Sequence, residues 1–453
     1  MEKIYEILFN AIESNKQTVL DAERYIWNNP ETGYKEWKTH KFLKSEFEKL
    51  GYTVKEVGNI PGFYADIDTG RPGPTVAVFG ELDALCIPTH PESNKETGAV
   101  HACGHHCQCA GLLGVAIAFK AEGALDSLCG KIRLIAVPAE EAIELEYRQK
   151  LIEEGVIHYI GGKVEFMYRG ILDDVDIALM VHTSSAKTWK MSCHTGSNGC
   201  IIKTAVFKGR SAHAGGNPDY GINALYAANN GMAAANALRE TFRDDEHIRF
   251  HPIITKGGSI VNAIPDDVHV ESYIRGATMN AIIDANNKVN RAFAGAALSM
   301  GCELELKDIP GYSPRMNDQN LINTFHEVAS MLFDESELDF GNRWGGGCSD
   351  MGDINMVIPS IHPFCAGADG AGHSTAYNVP NPYLACVMSA KVQSGTVCKI
   401  LSNGAEVGKK IIAEKQVVYP SIAEYFKAID SINAKFDAVK YNNDGTATVK
   451  YKK

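Results

Sequence analysis

The sequence predicts an α/β protein interrupted by an inserted unit of different character, and three observations predict it. Apolar strand runs alternate with helical periodicity up to about residue 195. From 196 to 310 the order becomes β-α-β-β-α-β, the split ferredoxin-like arrangement. After Gly311 helix and strand patterns return. At 453 residues the chain also exceeds what one core supports. The expected organisation is therefore a discontinuous mixed-sheet domain, 1–195 with 311–453, and an inserted domain, 196–310.

In the first part, residues 2–27 and 36–50 read as helices, separated by the turn chemistry of Asn29, Pro30 and Gly33. Ile4, Ile7, Leu8, Ala11 and Ile12 recur at helical spacing between charged neighbours, which is an amphipathic helix and not the unbroken apolar core of a signal peptide. Strand patterns follow at 52–57, 63–67 and 76–79, the last running straight into Glu81 and Asp83. Residues 109–121, rich in Ala, Leu and Val, read as a buried helix. KIRLIAVPAEE is an apolar strand ending on Glu140 and Glu141, and DIALMVH another ending on His182.

In the insertion, strands are expected at 200–208, 247–255, 266–275 and 302–307, with helices near 221–239 and 279–299. Alternation at Val268, Val270, Ser272 and Ile274 supports the third strand. The final part reads as a helix near 320–333, a strand at 356–362, a helix over 382–402 and a helical stretch at 422–436.

Composition narrows the function. A net charge of −11 argues against nucleic-acid binding through a general basic surface. The absence of an apolar run near ~18 residues argues against a spanning helix. Twelve cysteines spread through a long chain without an export signal favour a reducing cytoplasm, with thiols unpaired or metal-bound.

The chemistry gathers at strand ends, where open α/β sheets hold ligands. Glu81 and Asp83, Glu140 and Glu141, His182, Cys103 and His105, and His373 all fall at such ends or in following loops. Carboxylate, imidazole and thiolate together suit zinc or a neighbouring divalent metal. Each has a plainer reading: His182 as a satisfied polar residue, the glutamates as a solvated helix start, the cysteines of HACGHHCQCAG as buried thiols. Cys107 and Cys109 keep that last reading. The cluster spacing fits neither a zinc knot nor a thioredoxin-like pair, because C-x-x-C is absent. The convergence of donor types points to a metal hydrolase.

GELDAL (80–85), HACGH (101–105), PAEE (138–141), His182, GRSAHAGGNP (209–218), GGSIVNAIPD (257–266) and GAGH (370–373) occur in that order, and with them the chain resembles the amidohydrolase branch of the M20 metallopeptidases. The branch includes aminoacylases, auxin-conjugate hydrolases, aminobenzoyl-glutamate hydrolases and β-alanyl dipeptidases. The resemblance implies a metallopeptidase catalytic domain with a dimerisation or lid insertion, and hydrolysis of the amide bond of N-acyl amino acids, amino-acid conjugates or small dipeptides by a metal-activated water. It implies two divalent ions per subunit, zinc first with manganese, cobalt or nickel also fitting. Cys103 resembles the bridging ligand, and His105, Glu141, His182 and His373 the other metal ligands. Glu140 resembles the general base, and Asp83 the acid that orients a ligand. His213 resembles a histidine that reaches a neighbouring active site in a homodimer; Asn262 and Arg275 resemble substrate-contacting residues. The chain departs from the pattern where His106 replaces an acid or amide, where Gln108 replaces a histidine, and in an unusual 142–170 segment. Two rival readings are a thiol amidohydrolase using Cys103 with His105, and a metal-stabilised scaffold without catalysis. The first leaves the PAEE glutamates, His182 and His373 unexplained, and the second gives no reason for Glu140 beside a ligand.

Overall fold

The structure, a computed structural model, describes residues 2–451. The chain divides into two compact units. The first comprises residues up to Gly196 with Met316–Trp344 and Asp353–Ile422; the second comprises Ser197–Arg315, Gly345–Gly352 and the chain from Ala423 onward.

The first unit is built on a mixed sheet in the order Val54–Glu56, Phe63–Asp68, Lys131–Val137, Thr75–Glu81, Ile177–Leu179 and Ser360–Ile361. The last four are mutually parallel, so their carboxyl ends share one edge. Thr75–Glu81 is buried at every position, as a near-continuous apolar run in a parallel sheet should be. Against it packs the helix His105–Lys120, in which residues 105–119 are all buried. A helix apolar on every side belongs inside a core. Leu112, Leu113 and Val115 are fully enclosed, each worth about 1.5–3 kcal/mol of transfer free energy. Helices Glu2–Ser14, Lys16–Trp27 and Ser389–Leu401 close over it.

The second unit is a sheet in the order Arg249–Lys256, Asp267–Gly276, Gly199–Lys208, Glu303–Pro310, Ala434–Tyr441 and Ala447–Val449, antiparallel throughout. Helices Ala224–Ala237 and Met279–Ser299 pack against it and each other around Phe207, Phe250 and Phe293. The β-α-β-β-α-β order of the sequence is present in its central elements.

The structure corrects several expectations. The stretch 2–27 is two helices that meet at Asn15, whose backbone leaves helical geometry (φ −110°, ψ 16°) while its side-chain amide donates to the Ala11 carbonyl. The helix expected over 422–436 stops at Asp430, and KFDAVKY becomes a strand paired with Glu303–Pro310. The sequence pattern places residues 423–453 in the first domain, whereas from Ala423 onward the chain clusters with the second unit; an available strand edge overrides local helical periodicity. The strand expected at 356–362 is only Ser360–Ile361, since the chain leaving the helix Met351–Asn355 turns through 356–358 before it extends. Helices Leu145–Glu153 and Gly162–Tyr168 and the strand Leu338–Gly345 have no strong periodic signal.

Candidate metal centre

The parallel edge gathers the donors. Asp83 follows the strand ending at Glu81, Glu140 and Glu141 follow the one ending at Val137, and His182 follows the one ending at Leu179. Cys103 and His105 flank Gly104, the N-cap of the buried helix, at φ 91°. Only glycine fits there. A Cβ would meet Tyr377 Oη at 2.5 Å and Thr183 Cβ at 2.9 Å, and the left-handed backbone disfavours any other residue. This turn lets two closely spaced donors leave the chain as the helix begins. His373 arrives on a loop at φ 63°, its amide donating to the Ala102 carbonyl at 2.9 Å.

His105 Nδ1 donates to Asp83, at 3.0 Å from the carbonyl and 3.1 Å from Oδ1. Asp83 Oδ2 accepts the Glu141 amide at 2.9 Å. One carboxylate thus orients a histidine and fixes the backbone of a glutamate, the arrangement expected behind metal ligands. His182 Nδ1 donates to the Thr183 carbonyl at 2.8 Å, which turns Nε2 towards Cys103 Sγ at 3.5 Å. His373 Nε2 lies 3.2 Å from Glu141 Oε1. Two donor groups result, Cys103 with His105 and His182, and Cys103 with Glu141 and His373, each with ligand atoms within 4.8 Å of one another. They share the sulfur. A third group joins Glu81, His105 and Glu140, whose Oε2 is 4.0 Å from His105 Nε2.

Electrostatics shows what the cluster lacks. Burial, reinforced by the Glu141 carboxylate, pushes the Cys103 thiol well up. Burial works against a charge on His105, yet Glu81 and Cys103 raise its pKa well above the ordinary value. Burial and the neighbouring His105 lower His182 to about 4. The gathered carboxylates and thiol thus favour positive charge at this spot. A divalent ion would supply that charge and displace protons from its ligands, as metal binding generally does. Orphaned atoms agree: His105 Nε2 and Glu141 Oε1 are buried with no hydrogen-bond partner among the described residues. Both have ionic neighbours, Glu81 Oε2 at 3.0 Å and His373 Nε2 at 3.2 Å. Carboxylate, imidazole and thiolate donors gathered at this range fit a cation, so this donor set suits a pair of divalent ions.

The family model for peptidase family M20/M25/M40 matches residues 62–402. The chain belongs to this family. It is 30% identical over 342 residues to one of the p-aminobenzoyl-glutamate hydrolase subunits of Escherichia coli, covering 73% of this chain and 66% of that protein. It is 26% identical over 372 residues to the mouse Xaa-Arg dipeptidase, covering 78% of each. Among solved structures, an M20 dinuclear metal binding peptidase from Bacillus subtilis superposes with a TM-score of 0.67 at 20% identity, over 86% of this chain and 99% of that one. An aminobenzoyl-glutamate utilization protein from Klebsiella pneumoniae gives 0.64 at 18%, over 87% and 99%. The mixed α/β architecture is that of M20 peptidases.

In this M20 chain the 142–170 segment carries supports that sequence reasoning missed. Arg148 is buried; its guanidinium donates to the carbonyls of Glu141 and, at 2.7 Å, Ile160. Lys163 is also buried and pairs with Glu81 Oε1, while Gln108 Nε2 donates to Glu81 Oε2 at 2.8 Å. Ala139, just before the glutamate pair, sits at φ 56° with its amide held by Glu36 Oε1 at 2.8 Å. Such a conformation costs on the order of 1–3 kcal/mol and persists where surroundings fix it. A lone Lys or Arg in a polar run gives no period, so only a conspicuous excess of charge could have marked the segment.

The remaining sequence candidates lie in the second unit. His213 is exposed, and its Nδ1 accepts the amides of Gly215 and Gly216 at 3.2 and 2.8 Å. In the neutral ring the proton then sits on Nε2. The Ala214 amide donates to the Asn262 carbonyl at 2.9 Å, joining these two loops. Arg275 is half-buried, 3.2 Å from His251 Nε2, the Gly346 carbonyl and Cys348 Sγ.

Proposed function

We propose that this M20 hydrolase of C–N bonds acts on N-acyl amino acids, amino-acid conjugates or small dipeptides. Cys103, His105 and His182 would hold one divalent ion, and Cys103, Glu141 and His373 a second, zinc in each. The carrying observation is the pair of donor groups sharing one sulfur, with His105 Nε2 and Glu141 Oε1 buried and without a hydrogen-bond partner among the described residues. Such ions supply Lewis acidity and acidify water.

The chain's own residues do the rest. Glu140 takes a proton from the attacking water as the C–O bond forms, and returns it to the amine nitrogen as the C–N bond breaks. It suits that task because its neighbour Glu141 is held by Asp83 and Arg148 through backbone groups. Asp83 keeps His105 in the Nδ1–H tautomer. His213, with its proton on Nε2, is assigned as donor to the developing oxyanion. Asn262 and Arg275 are assigned to a substrate carboxylate. The names of the relatives support this substrate range. A thiol-nucleophile reading leaves Glu141 and His373 without a task.

We read the second unit as a ferredoxin-like dimerisation or lid domain bringing His213 to the active site of a second copy. Among the described residues no helix is long and apolar enough to cross a membrane. Among the described residues no cysteine is paired in a disulfide, which supports placement in the cytoplasm.

Metal analysis coupled to a panel of N-acetyl amino acids, aminobenzoyl-glutamate and dipeptides tests the reading. Glu140→Gln should keep its metal and lose about 10²–10⁴ in kcat. Turnover at the unaltered level removes Glu140 from the mechanism.

A further inference from the structure

The reaction uses two donors of HACGHHCQCAG and leaves His106 and Cys107. Both side chains are fully buried, and they converge on a partner distant in sequence. His106 Nε2 lies 3.3 Å from Glu23 Oε1 and 3.3 Å from Cys107 Sγ. Glu23 is itself 2% exposed. The three ligand atoms fall within 4.8 Å of one another. The Cys386 thiol neighbours Cys107 but stands outside this three-residue group.

Hydrogen bonding alone serves this group poorly. One Nε2–H cannot satisfy a carboxylate and a sulfur fully. Ion geometry serves it better. Tetrahedral zinc, with bonds of about 2.0–2.1 Å to nitrogen or oxygen and about 2.3 Å to sulfur, sets edges of about 3.3 Å between N and O and about 3.6 Å between N and S. The observed separations are close to both.

We propose that the chain holds a further, structural zinc ion on Glu23, His106 and Cys107, separate from the candidate centre, with the neighbouring Cys386 thiol drawn in as the fourth donor. Four protein donors, two of them sulfur, in a dry core define a closed site with no open position for substrate. Charge balances as well. Two thiolates and a carboxylate carry three negative charges against the ion's two positive ones, and the Arg24 guanidinium, 3.3 Å from Glu23 Oε1, supplies the remaining one. Binding releases the two thiol protons, and the neutral His106 ring, ligating through Nε2, carries its proton on Nδ1. The ion would tie together three segments: the helix Lys16–Trp27, the start of the helix His105–Lys120, and the turn Tyr383–Met388. C-x-x-C spacing could not reveal this, because the outer donors lie far along the chain on either side.

Cobalt(II) substitution of the full-length protein tests it, since thiolate-bound cobalt absorbs in the near ultraviolet. Cys103→Ser removes the shared sulfur of the candidate centre. That variant should still bind one tight equivalent of cobalt with thiolate charge transfer, and adding Cys107→Ala should abolish the band and the equivalent together. A band lost with Cys103→Ser alone, or surviving the added Cys107→Ala, overturns the proposal. Should the double variant fail to fold, elemental analysis of the zinc-saturated, gel-filtered unmodified protein decides. One zinc beyond the two of the candidate centre is expected, and two or fewer overturns the assignment. The cobalt readout does not depend on turnover, so failure of the hydrolase reading leaves it interpretable.

Discussion

Each unit buries a lysine against a carboxylate, and the two pairs sit in very different company. Lys203 and Asp308 face each other directly across neighbouring antiparallel strands, and Asn286 and Asn290 of the overlying helix bond to the same groups. The pair's hydrogen bonds stay within its own network. Lys163 and Glu81 are equally buried, yet Glu81 Oε2 lies 3.0 Å from His105 Nε2, an atom with no hydrogen-bond partner among the described residues. The same ion pair seals a core in one unit and borders unfinished coordination in the other. A buried charge pair is thus weak testimony about function until its surroundings are counted.

Removing one partner is the largest disturbance to the comparison. Lys203→Met should destabilise the protein by about 3–5 kcal/mol in denaturant titration, because Asp308 is left buried and uncompensated. Lys203→Met with Asp308→Leu should recover much of that loss. Lys163→Met should cost a similar amount in metal-free protein. There the comparison sharpens: a divalent ion beside His105 compensates Glu81, so zinc should restore about 1–3 kcal/mol more to Lys163→Met than to Lys203→Met. Equal responses to zinc would dissolve the distinction.

The smallest effect concerns pH. His40 is buried in the first unit, its Nδ1 accepting the Gly62 amide at 2.9 Å. Burial lowers its pKa below 6.5 in spite of Glu56. The folded state therefore binds fewer protons on this ring than the unfolded chain does. Its contribution is complete above pH 6.5 and is lost as pH falls through the lower folded value. His40→Gln should flatten that part of the stability profile in urea titrations at a series of pH values.

The gathering of the candidate metal centre was legible because strand ends are legible. Glu81, Asp83, Glu140, Glu141 and His182 each close or follow an apolar run, and the resemblance joined them to Cys103, His105 and His373. Arg148, Lys163 and Glu36 were not, since a buried charge looks like a surface charge until its partner is known. The strand Ala434–Tyr441 was hidden for another reason: KFDAVKY takes its conformation from a neighbour more than a hundred residues earlier in the chain. The outer donors of the proposed zinc site were hidden in the same way.

That late strand has a consequence for biosynthesis. The ribosome delivers Glu303–Pro310 well before Ala434–Tyr441, so one side of this strand waits with its amides and carbonyls unclaimed while the intervening chain is made. During that interval the nascent polypeptide offers a template for any passing extended segment. Arrival of its own cover closes that window.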